Sequence, residues 1–314
     1  MPDRPSVQLP EPLMAAYKRL EERENRIRLY TSHQHGEPND FIALYQIGLY
    51  LLHEAFEPGR TYSYHGPRER PRPQAYGTYH LLLGLAARSA KPACDLLLAG
   101  YYSEGMSLIR TMMEGWGRAV YVQARPSEHG RWHAPPDDMP LEERMKWGYG
   151  KPEPNFGSEI VDVIENEGTE YHRTTAKEME LRYHALSNMT HPSGESITQL
   201  QESADGKLVF GPDYSRPYCE HGFNHGIFVQ LALLREIRSL GHQSDAWHYL
   251  ATRLEYLYEP LHVGMKQLLA TEANRREEER RWRRLGPRPE EVRAARKTIT
   301  EWQSAMNRIH LGGD

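Results

Sequence analysis

AGYYSEGMSLIRTMMEGWGRAVYV, residues 99–122, decides the fold. On a period of 3.6 residues, Met106, Ile109, Met113, Trp116 and Val120 share one apolar stripe, at steps of three and four. Leu108, Met112, Ala119 and Val122 make a second apolar surface beside it. A helix that is apolar on most sides is buried within a larger fold, so the spacing predicts a central helix with others packed around it. Ser103, Ser107, Arg110 and Glu114 form a third stripe, at steps of four, three and four. Arg110 and Glu114 can pair along the helix. Charge on a mostly buried helix is costly without partners. Two readings follow: an intrahelical salt bridge at the bundle surface, or a preorganised polar pocket between helices. Gly100, Gly105, Gly115 and Gly117 each cost the helix up to ~1 kcal/mol relative to alanine. Their use is close helix packing or, for Gly100, the turn from the preceding helix.

Outward from this stretch, the pattern stays helical. Residues 11–31 read as a charge-dense outer helix, with Leu13, Ala16, Leu20 and Ile27 as its apolar positions. Asn39 or Asp40 can cap a buried helix at 40–56, which Pro58-Gly59 ends. Residues 58–74 form a loop carrying Arg60, Arg68, Arg70 and Arg72, either a phosphate contact or a solvated segment. Helices follow at 75–89 and 92–99. Six prolines between 126 and 154 make 124–157 a long loop, with at most a short helix at 140–148. His129, Trp132 and His133 in it are candidates to line a site. Helices are expected at 157–168, 170–190, 217–240 and 244–272, the last bent near Pro260. Asp205-Gly206 marks a small β-hairpin or loop within 196–210. The expected fold class is therefore all-α, a multi-helix bundle with a long Pro-rich loop and at most one small hairpin. Its expected organisation is a disordered start (1–10), a helical domain (11–272) and a charged helical tail (273–314).

Composition narrows the function classes. The chain has 314 residues and a formal net charge of −4, with no global basic signal for nucleic acid. Cys94 and Cys219 make no disulfide framework, which suits a reducing cytoplasm. The start lacks an apolar signal core, and no run approaches the ~18–20 apolar residues of a membrane span. A soluble cytoplasmic protein without membrane contact is expected. Phosphate-loop, dinucleotide, zinc-protease and esterase motifs are absent, and no cofactor is implied.

A second polar stretch, ELRYHALSNMTHPSGE at 180–195, aligns Tyr183, Ser187 and His191 at steps of four. Pro192 ends the helix near His191 and places that imidazole at a C-terminus, where the helix dipole favours its protonated form. Histidine is the natural acid or base at neutral pH, and Glu114 could orient it. Yet Ser187 and His191 share one helix and are not aligned for attack, so a structural network is an equal reading. Glu180 with His184, His191 and Glu114 could hold a cation. A carboxylate-bridged di-iron bundle supplies two E-x-x-H motifs, a pair this chain lacks. Cys219, His221 and His225 give only a weak zinc pattern.

Residues 96–122, followed by 183–195, resemble a mostly bacterial family, domain of unknown function 5677. The resemblance rests on Gly100, Tyr101, Glu104, Arg110 and Glu114, then on Tyr183, Ser187 and His191, with Gly105 where alanine is commoner. It spans about residues 75–240 and implies an all-α fold with a shared polar cluster, but no reaction. A looser likeness is to the small HEPN ribonucleases and their R-x(4–6)-H motif. Here Arg182 and His191 have eight residues between them, outside that spacing. The expected site thus has His191, Arg110 and Glu114 as chemical groups and Tyr183, Ser187, Ser107 and Tyr102 as ligand contacts. No metal is included. The expected role is a binding or regulatory module for a small molecule or protein in bacterial stress or defence. The alternatives are a metal-independent ribonuclease acting on RNA through His191 and Arg110, and an interaction protein acting through its tail.

Overall fold

The chain divides into a unit Met1–Gly264 and a unit Met265–Asp314. A computed structural model describes residues 11–34, 41–56, 73–132, 140–142, 152–190, 212, 215–240 and 243–263, all in the first unit. The helices are α1 (Glu11–Gln34), α2 (Phe41–Ala55), α3 (Pro73–Arg88), α4 (Ala90–Leu98), α5 (Tyr102–Ala124), α6 (Val161–Glu167), α7 (Glu170–Thr190), α8 (Arg216–Arg238) and α9 (245–263). A 3-10 turn, Pro126–Arg131, follows α5, and a π-turn, Phe156–Ile160, leads into α6. There is no strand among the described residues, and the fold is all-α. None of these helices is long and apolar enough to cross a membrane. The sites expected for a β-hairpin (196–210), a disordered start (1–10), the basic loop and the charged tail (273–314) lie outside the described residues. So does most of the helix expected at 140–148.

α5 is the axis of the bundle, packed on by α3, α4, α7 and α8. All five residues of its first apolar stripe are buried, as are Met112, Ala119 and Val122 of the second. Only Leu108 is partly open. Gly100 ends the α4 turn with φ 85°, a left-handed conformation that disfavours any side chain. Gly115 lets α3 close in: a Cβ there would lie 2.6 Å from Ala86 Cβ. α1 touches the bundle through Ile27 and Thr31 and through Glu24, which accepts a 2.8 Å bond from Tyr101 Oη. Leu13 and Leu20 stay exposed, so the outer position read from its charge is what is found.

Polar bonds tie the remaining helices. Tyr45 Oη of α2 donates to Ala90 O of α4 at 2.8 Å. Trp247 Nε1 of α9 donates to Leu51 O of α2 at 3.0 Å. Trp247, Ala251, Leu254 and Tyr258, at steps of four, three and four, bury one face of α9. Pro260 lies inside this helix without ending it. Gln230 of α8 is an exception to good pairing. It is fully buried against Gly48 of α2, and neither amide atom has a hydrogen-bond partner among the described residues. A buried amide left unpaired costs about 1–3 kcal/mol. Gln230→Met keeps the length and removes that amide, so it should raise the urea midpoint without changing the slope, by a comparable free energy.

Candidate functional site

The α5–α7 contact brings together three of the expected groups. Arg110 Nη2 donates to Tyr183 Oη at 2.6 Å, and Tyr183 Oη donates to Glu114 Oε1 at 3.0 Å. Arg110 and Glu114 also pair directly at 3.6 Å. Glu114 lies 3.4 Å from Arg118, which reaches Glu153 at 2.8 Å. The Phe156 ring packs 4.6 Å from Tyr183, so the π-turn backs the seam. Side-chain exposures of 18% for Arg110 and 24% for Glu114 put the pair at a rim, partly desolvated yet open. Burial raises the Tyr183 phenol above its ordinary range. The Arg110 hydrogen bond opposes this and the Glu114 carboxylate adds to it. At neutral pH the phenol therefore keeps its proton and acts as a donor, not a base.

The other expected contacts have local partners. Ser187 Oγ donates to Tyr183 O at 2.7 Å and Ser107 Oγ to Ser103 O at 2.9 Å, each one turn back on its own helix. Tyr102 is buried, and its hydroxyl accepts from Ser215 N at 3.0 Å, at the start of α8. His191 lies outside the described residues. Glu180 and His184 form a half-buried pair at 3.7 Å. His129 is buried with Nδ1 2.8 Å from Pro126 O, and His133 lies outside the described residues.

A larger polar network joins α7, α8 and α9, and sequence reading did not assemble it. Arg182 is fully buried. Its Nε and Nη2 donate to Glu178 Oε1 at 2.9 and 2.6 Å. Nη1 donates to Asn224 Oδ1 at 3.0 Å and to His225 Nδ1 at 3.4 Å, and Nη2 also donates to Tyr258 Oη at 3.2 Å. The Phe228 ring covers the guanidinium at 4.1 Å. His262 Nε2 lies 2.8 Å from both Glu178 oxygens, and its ring stacks on Tyr258. Burial alone would raise Glu178, but His262 and Arg182 hold it below the usual carboxylate range. A guanidinium only donates, so His225 Nδ1 is an acceptor, its proton sits on Nε2, and it donates to His221 Nε2 at 2.8 Å. Burial, then the Arg182 charge, lowers His221 to about 4; burial, then His221 and Arg182, holds His225 well below the ordinary imidazole range. The signals were present as Glu178/Arg182 and Tyr258/His262 at a spacing of four, and as Asn224-His225 in an apolar helix. None of them says which helices face one another.

A third network is smaller. Buried Glu236 of α8 accepts from Tyr79 Oη of α3 at 2.8 Å and lies 3.1 Å from His172 Nε2 of α7. No group of three or more His, Cys, Asp or Glu suited to a metal occurs among the described residues. His221 and His225 do meet, but they bond to each other beside a fixed cation. The chain's one E-x-x-H, Glu259 to His262, turns the imidazole Nε2 toward Glu178. No family model matches the chain, and neither a curated protein nor a solved structure is similar to it.

The two arginines should differ in weight. Arg182→Ala takes the fully buried cation from Glu178, Asn224, His225 and Tyr258 at once and should cost about 3–5 kcal/mol. Arg110→Ala, at the rim, should cost about 1–2 kcal/mol. Urea unfolding of both variants checks this order.

Proposed function

We propose that this chain is a helical binding or regulatory module, acting in bacterial stress or defence, whose ligand contact is the α5–α7 seam. The observation that supports this is the Arg110–Tyr183–Glu114 triad: opposite charges held at an open rim by a phenol that keeps its proton. Such a seam suits a small polar molecule that offers an anionic group to Arg110 and Arg118 and a donor to Glu114. Desolvation at the rim strengthens each of those contacts.

The ribonuclease alternative needs His191 as base and Arg110 at the transition state. Arg110 is already engaged by Tyr183, which favours positioning over catalysis. Thermal shift with inorganic phosphate, nucleoside monophosphates and free amino acids tests the reading. One of these should raise Tm by mass action, worth about 2.7 kcal/mol at a hundredfold excess over Kd. Arg110→Ala should remove that shift while the unliganded protein still melts cooperatively. Cleavage of single-stranded RNA that His191→Ala abolishes would overturn the binding reading in favour of the ribonuclease.

A further inference from the structure

The α7–α8–α9 junction, apart from the α5–α7 seam, has a hydrogen-bond order that holds only while two imidazoles, the buried His225 and the half-buried His221, are neutral. His225 Nδ1 accepts from Arg182, and His225 Nε2 donates to His221 Nε2. A proton added to His221 Nε2 sets two N–H groups head to head at 2.8 Å. A proton added to His225 Nδ1 faces a guanidinium 3.4 Å away that cannot discharge. Either event breaks a contact of the buried network. Tyr258 shares that network: its hydroxyl donates to Asn224 Oδ1 at 2.9 Å and accepts from Arg182.

We propose that this junction is an acid-sensitive joint, at which charging the His221–His225 pair dislodges the Tyr258–His262 end of α9 and opens helix 245–263 while the α5 core stays folded.

The groups around the pair support this direction. From α7 come Glu178 and Arg182, from α8 Glu220 and Asn224, and from α9 Tyr258, Glu259 and His262. From α2 and α4, Tyr45 packs on Gly226 with its hydroxyl bonded to Ala90 O, and Leu97 packs on Gly222, so neither brings a charge. Glu178 is the carboxylate within the network, and Arg182 and His262 already bond it. Burial and then Arg182 place His221 at about 4 in the folded joint, against an ordinary 6.5. An opened joint takes up a proton near 6.5 and a closed one does not, so opening gains as pH falls below 6.5. Glu178, held below its usual range, stays ionised through that window and contributes nothing to the transition.

Hydrogen–deuterium exchange on the full chain at pH 7.5 and 5.0, corrected for intrinsic exchange, tests the joint. Opening of residues 245–263 should rise at least about thirtyfold between the two conditions, the factor that His221 alone sets by 6.5 against about 4. Opening of residues 102–124 should change less than about threefold. His221→Gln keeps an acceptor for the His225 N–H but cannot charge, and it should cut the rise to the share that His225 contributes, with protection at pH 7.5 unchanged. His262→Gln keeps a donor to Glu178 and should retain the rise, so it decides the matter should His221→Gln not fold. Joint loss of protection in α5 and α9, an unchanged rise in His221→Gln, or loss of the rise in His262→Gln would each overturn the proposal.

Discussion

A guanidinium buried without water must find an acceptor for each of its five N–H groups, and Arg182 does so. Removing an ion from water costs several kcal/mol, recovered only when geometry is good and every donor is paired. The acceptors come from three helices: Glu178 on α7, Asn224 and His225 on α8, and Tyr258 on α9. Apolar contacts tolerate sliding, but this set closes in only one arrangement. It therefore fixes how the second half of the bundle meets, while the apolar faces of α5 and α8 supply most of the burial.

The brace also sets the seam. Arg182 and Tyr183 are consecutive, so their side chains leave the helix about 100° apart. Holding Arg182 toward α8 and α9 turns Tyr183 toward α5, onto Arg110 and Glu114. His172, ten residues earlier, is held to Glu236. One helix thus carries three polar attachments, each to a different set of partners. The rim pair on α5 is oriented from behind by the network around the fully buried Arg182.

Much of this was legible in the sequence. The described helices begin within a few residues of where periodicity and prolines put them, because helix signals are local; the expected end of the last, at 272, lies outside the described residues. Arg110, Glu114 and Tyr183 were grouped correctly, since two share a helix and the third stood out in a second polar stretch. The same pattern points to Ser187 and Ser107 as contacts, but each hydroxyl has a carbonyl one turn back, a competition that spacing alone does not reveal. The Arg182 network escaped because its members span residues 178 to 262 and each is ordinary alone. Glu178 and Arg182 look like a surface pair at a spacing of four. Only tertiary packing shows that α8 and α9 cover them. The π-turn at Phe156, which backs Tyr183, fell inside what read as loop.

Directionality along α7 carries a consequence for how this sequence can drift. An apolar position accepts neighbours of similar volume one at a time. Residues 172, 178, 182 and 183 have no such freedom, because each is matched to a partner of fixed chemistry at 236, 262, 224 or 225, and 110 or 114. A change at one removes a directed bond that its partner is matched to unless the other changes with it. Substitution here is expected to move in couples across helices distant in sequence, so that covariation among relatives would trace the three attachments of α7 before it traced the apolar core.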